Sequence, residues 1–117
     1  MALDETSARL TIHLSGNAVW HHKPAYAEIV HRARAQGMAG ASVFHGIEGY
    51  GTHRMIHQDK PSRLRTHGPC AVVVVDAEER LRVFLDTLED VLSVNGVAVL
   101  DRARIRMPAI LSGQETP

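Results

Sequence analysis

Cysteine is almost missing from this sequence. Cys70 stands alone, which excludes any disulfide within the chain. It precedes the apolar run Ala71 to Val75 and reads as a small buried hydrophobe, with no neighbour in sequence that would lower its pKa. Net charge is missing too. Thirteen basic and thirteen acidic side chains cancel, which excludes a molecule-wide field that would gather nucleic acid or anionic membrane. No apolar run approaches the roughly 20 residues that span a bilayer. The opening Met-Ala-Leu-Asp-Glu has neither the basic nor the apolar region of a signal peptide, so a cytoplasmic protein is expected. Lysine is scarce: eleven of the basic residues are Arg and two are Lys, and only arginine offers a planar fork to carboxylate or phosphate. Gly-x-Ser-x-Gly, the P-loop and His-Glu-x-x-His are all absent, and no nucleophile stands beside a base. A binding protein is expected rather than an enzyme.

What is present suffices for one core. A chain of 117 residues, 44% apolar, buries roughly two-thirds of its unfolded surface. Arg9 to Leu14 alternates, with Leu10, Ile12 and Leu14 on one face, and predicts a strand. Pro24 suits the first turn of a helix whose stripe is Tyr26, Ile29, Val30 and Ala33, and Gly37 sits where a left-handed cap would end it. Residues 41–47 predict a second strand. Residues 51–67 hold no sustained apolar period and read as a long exposed loop, with Arg54, Lys60, Arg63 and Arg65 against Asp59. Ala71 to Val75 predicts a central strand covered on both faces. Asp76 and Glu79 form a candidate capping box for a helix carrying Leu81, Phe84, Leu85, Leu88 and Leu92. Asn95-Gly96 marks a turn, and residues 97–107 predict a last strand. The domain is expected over residues 1–107, with a loose tail at 108–117.

The order is β-α-β-β-α-β, an α+β sandwich in which two helices cover one face of a four-stranded antiparallel sheet. The first and third strands are central in that arrangement. At least two of the four consecutive valines then point away from the helices. Burying each is worth about 1.5–2 kcal/mol. A homo-oligomer packed through the sheet follows as an expectation.

The block from Gly37 to Gly51, followed by His53-Arg-Met-Ile-His57, resembles family 190 of the domains of unknown function, which is PII-like. Lys23-Pro24-Ala25, Gly37 to Val43, His45-Gly46-Ile47-Glu48-Gly49-Tyr50-Gly51 and Val75-Asp76 carry the resemblance, which extends over residues 8–107. His45 stands where the family has Arg, and Gly68-Pro69-Cys70-Ala71 replaces its usual Leu-Pro entry to the third strand. The resemblance implies a ferredoxin-like fold, a homotrimer and a flexible loop between the second and third strands. It further implies a signalling role. PII relatives bind nucleotides, adenine nucleotides among them, in clefts between subunits, and engage a membrane transporter or an enzyme through that loop.

Four groups of residues could carry chemistry. Gly46, Gly49 and Gly51, with His45 beside them, could bring backbone N–H groups to an anion, or could form a tight turn at a strand end. Arg102, Arg104 and Arg106 alternate, so one strand face would carry all three. They could contact a ligand phosphate, a neighbouring subunit's acids or solvent. His53 and His57, spaced i and i+4, suit a metal if that segment is helical, and otherwise are exposed loop histidines. Arg54, Lys60, Arg63 and Arg65 could dock a partner or be simply solvated. They lack the interleaved aromatics that nucleic acid would ask for, so no nucleic-acid partner is expected.

Overall fold

Alternation over Arg9–Leu14 and the valine run each make one long strand, and the two pair along their whole length. The computed structural model describes residues 6–49, 57–58, 68–92 and 96–106. Strand β1 (Ser7–Ser15) is followed by a small hairpin of β2 (Val19–Trp20) and β3 (Lys23–Pro24), then helix α1 (Ala25–Ala35). Strand β4 (Gly40–His45) precedes a two-residue ladder of β5 (Glu48–Gly49) with β6 (His57–Gln58). Strand β7 (Pro69–Ala77), helices α2 (Glu78–Asp86) and α3 (Glu89–Leu92), and strand β8 (Val97–Arg102) complete the elements of the described residues.

The main sheet is antiparallel in the order β4-β7-β1-β8, so the first and third long strands are central as expected. Helix α1 lies over β4 and β7, and α2 over β1 and β7. Beneath them Ala8, Leu10, Ile12, Leu14, Cys70, Val72 and Val74 meet Ile29, Ala33, Leu81, Phe84 and Leu88 in one buried core. Within one protomer both helices lie on the same face, and the other face of the valine strand carries no element of the described residues. Val73 and Val75 are half-buried there, and Phe44, Val97 and Val99 are 59%, 43% and 46% exposed.

Several boundaries differ from the sequence reading for identifiable reasons. Pro24 is the N-cap of α1, one position before its first turn. Gly37 does close that helix, at φ +73°: its N–H donates to Arg34 O and the Met38 N–H to Ala33 O, the two bonds of a Schellman motif. Strand β4 ends at His45, because the Gly46 N–H donates to Pro69 O at 2.8 Å and proline has no N–H to return. Strand β8 ends at Arg102, not at residue 107. Arg102 is opposite Ala8, near the start of β1, and only the bond from the Ala103 N–H to Ser7 O extends beyond it.

The capping box does not form. Ala77 is the N-cap of α2, and the Glu78 N–H is satisfied by Thr6 O. The Asp76 side chain, fully buried, instead accepts from the Ala39 N–H at 2.9 Å, the Ala77 N–H at 2.6 Å and Arg80 Nη1 at 3.0 Å. Arg80 also donates to the carbonyls of Gln36 and Gly37, so this knot ties the end of α1 to the start of α2. The second helix breaks after Asp86. The Thr87 hydroxyl takes the Phe84 carbonyl at 2.6 Å, competing with the helical ladder. Leu88 and Val91 stay buried across the break.

Candidate functional site

The glycine block and the arginine row lie at opposite ends of the sheet. His45 is opposite Cys70 at the start of β7, whereas Arg102 is opposite Ala8, which is itself opposite Asp76 near the end of β7. Six residues of strand separate Cys70 from Asp76, about 20 Å at the usual rise.

At the first end, Gly46 and Gly49 both sit on the Pro69 ring. A Cβ at Gly46 would come within 2.7 Å of Pro69 Cγ, and one at Gly49 within 3.1 Å. Neither glycine adopts left-handed backbone, so close approach, and not φ, is what these positions require. His45 is exposed and meets the Tyr26 ring edge-on, with centroids 5.0 Å apart. Gly51, His53, Arg54, Lys60, Arg63 and Arg65 lie outside the described residues. His57 lies in β6, opposite Gly49. Its backbone is extended, so the helical geometry that would place His53 and His57 on one ligand face does not hold at His57. Among the described residues no group of three or more His, Cys, Asp or Glu side chains could hold a metal ion.

At the other end, Arg102 belongs to the helix side of the sheet and donates to Glu78 Oε1 at 3.1 Å, while Arg82 donates to Glu78 Oε2 at 2.8 Å. The two guanidinium groups, Arg82 foremost, hold the Glu78 carboxyl below its ordinary pKa. Arg104 and Arg106 lie beyond the strand, both exposed, with half-buried Ile105 between them. The three arginines therefore do not share one strand face. Arg102 is engaged within the chain, and Arg104 and Arg106 are the pair that remains open to solvent.

Sequence reading missed a polar cluster on the helix side. Arg32 makes four hydrogen bonds: Nε to Glu28, Nη1 to Thr87 O and to Asp90 Oδ1, and Nη2 to Asp90 Oδ2. Its guanidinium lies 4.9 Å from the Trp20 ring centroid, and the indole N–H donates to Asp90 at 3.1 Å. The Arg32 hydrogen bonds hold the Asp90 carboxyl at about 2. His21 stacks on Trp20 at 4.0 Å, and the turn His21-His22 has φ of 49° and 68° at its two residues. Trp20 and Asp90 are 70 residues apart, so no short-range pattern announces the contact. Through these contacts the cluster staples the β2–β3 hairpin to α1 and α3. Elsewhere on the helix side an open depression of about 330 Å³ is lined by Gln36, Met38, Glu79, Arg80 and Val83.

The profile of the domain-of-unknown-function family 190 (DUF190), described as an uncharacterized ACR, matches residues 7–105. The chain belongs to this family. A UPF0166 protein of Aquifex aeolicus is 32% identical over 96 residues, 82% of this chain and 90% of the relative. Among solved structures, CPII of Thiomonas intermedia K12, a nitrogen regulatory PII-like protein bound to ADP, AMP and bicarbonate, aligns with a TM-score of 0.59 at 16% identity, over 87% of this chain and 94% of CPII. The divalent ion tolerance protein CutA1 of Ehrlichia chaffeensis aligns with a TM-score of 0.59 at 11% identity, over 92% and 90%. At these identities the two structures establish the fold of this DUF190 chain, which is PII-like. No helix among its described residues is long and apolar enough to cross a membrane.

Proposed function

We propose that this DUF190 chain is a non-catalytic, PII-like regulatory protein. Copies associate as a homotrimer through the open sheet face. A small anion, first among candidates an adenine nucleotide, binds between them, and the segment 51–67 acts on a partner such as a membrane transporter or channel. One observation carries the reading. The two candidate anion-contacting groups are about 20 Å apart along the strands, on a sheet whose uncovered face exposes Phe44, Val97 and Val99. A single protomer cannot close both groups on one small ligand. Copies packed through that face can set His45–Gly49 of one against Arg104 and Arg106 of another. The ADP and AMP held by CPII belong to that protein, and they select the first ligands to try. Calorimetry with ATP, ADP, AMP and cyclic AMP tests the proposal. Saturable heat with one of them, lost in Arg104→Ala/Arg106→Ala, is the expected result. Absence of heat with all four at millimolar concentration would discard nucleotide as the ligand.

A second reading is metal binding. It is favoured by the likeness to CutA1 and by the presence of His53 and His57 in the sequence. Untagged protein should then retain stoichiometric zinc or copper after dialysis and lose it in His53→Ala/His57→Ala. Metal-free protein under those conditions would count against this reading.

A further inference from the structure

The open sheet face holds one titratable side chain that the strand register seats among apolar neighbours. Ile12 and Leu14 turn under the helices, so His13 between them points to the open face, where it is exposed. It is directly opposite Ala71 of β7 and Val97 of β8, and Phe44 of β4 is opposite Ala71. The row across the sheet is therefore Phe44, Ala71, His13, Val97. The next row on the same face is Ser42, Val73, Thr11, Val99, and the one after it Gly40, Val75, Arg9, Asp101. In these three rows the other charged groups are Arg9 and Asp101, which pair with each other at 2.8 Å. They are four positions along β1 from His13, about 13 Å. Neither β4 nor β7 places a charge in these rows.

With His13 neutral, these rows carry no net charge. A charged partner would find no counter-charge on them, whereas a second copy meets no like-charge repulsion. The occupant that fits is another copy of this chain, as in the association proposed above, on which this inference rests.

We infer that His13 makes that association pH-dependent: protomers pack while the imidazole is neutral and separate when it is protonated. Histidine is the side chain that changes charge between about pH 5 and 8. Burial in an apolar interface disfavours its charged form. Separated protomers therefore bind the proton more readily than packed ones. Association is complete on the alkaline side and weakens as pH falls, by up to about tenfold per pH unit for each imidazole excluded from protonation.

The test is sedimentation velocity of the full chain at micromolar concentration near pH 8 and pH 5.5, with circular dichroism to follow the fold. Wild type should be assembled at the higher pH and weaken by at least about tenfold at the lower, while His13→Leu and His13→Gln stay assembled at both. The glutamine variant keeps the test open if the leucine variant aggregates. A lone protomer at both pH values overturns the association and this inference with it. Equal assembly of wild type at both overturns the histidine inference alone. An unchanged pH response in His13→Gln assigns the effect to other histidines and overturns it as well.

Discussion

Gly46→Ala separates packing from ligand approach as the reason for the glycine block. Gly46 does not adopt left-handed backbone, so alanine meets no backbone penalty there. Without a neighbour the substitution would stabilise by about 0.4–1 kcal/mol through the unfolded chain. The neighbour reverses the sign. The new Cβ would stand 2.7 Å from Pro69 Cγ, closer than real Cβ contacts, and the pyrrolidine is anchored in β7 by a carbonyl that already accepts the Gly46 N–H. Overpacking of this kind costs about 1–3 kcal/mol, so a net loss of about 1–2 kcal/mol is expected. Replacing Pro69 with Ala removes Cγ, and the nearest remaining atom, Pro69 O, is 3.5 Å away, an ordinary contact. In Gly46→Ala/Pro69→Ala most of the loss should therefore disappear, giving a coupling of about 1–2 kcal/mol. Urea unfolding at one fixed protein concentration, followed by fluorescence of Trp20, the chain's single tryptophan, measures all four corners of the cycle. Additivity within about 0.3 kcal/mol would refute the steric argument. If the variants also lost ligand heat with unchanged stability, approach to an anion would replace packing as the role of Gly46.

Asp76→Ala should cost about 1–3 kcal/mol in urea unfolding. The Ala39 N–H loses its acceptor while Arg80, half exposed, turns to water; a loss below about 0.5 kcal/mol would contradict this. The Asp90 carboxyl is held at about 2, first by its hydrogen bonds from Arg32. A depressed carboxyl pKa stabilises above the ordinary carboxylate range and ceases to as pH falls through the folded value. The Tm gap between wild type and Asp90→Asn should close between about pH 4 and pH 2, and a gap constant over that range would count against the ion pair. Burial pushes the Cys70 thiol from 9.0 up to about 11, so thiolate at pH 8 is roughly a hundredfold scarcer than in the unfolded chain. A disulfide reagent should react at least that much more slowly with native protein than in urea; equal rates would show the thiol to be accessible.

Local pattern carried most of the architecture. Period-two alternation placed β1, the valine run placed β7 mid-sheet, and Gly37 marked the end of α1. Each of these signals is a relation between residues within a few positions of one another, which is why it survives in one dimension. The site was half legible. The composition of the glycine block and the arginine row was visible, but Pro69 as the partner of both Gly46 and Gly49 was not, and neither was the capture of Arg102 by Glu78. Asp76 illustrates the limit. Its spacing to Glu79 imitates a capping box, yet it is drawn instead to the Ala39 N–H, 37 residues away.

By itself, then, the order of residues determined which segments form the four long strands and the two main helices and which faces of them are apolar, but not the short β2–β3 and β5–β6 ladders. The tertiary structure decided where the ends fall, because a ladder stops where its partner strand stops. It decided that the glycines and the arginines stand apart within one protomer, because the antiparallel register puts them at opposite ends of β7. It also decided that His13 shares a row with Phe44 and Val97, since cross-strand neighbours are set by pairing and not by distance along the chain.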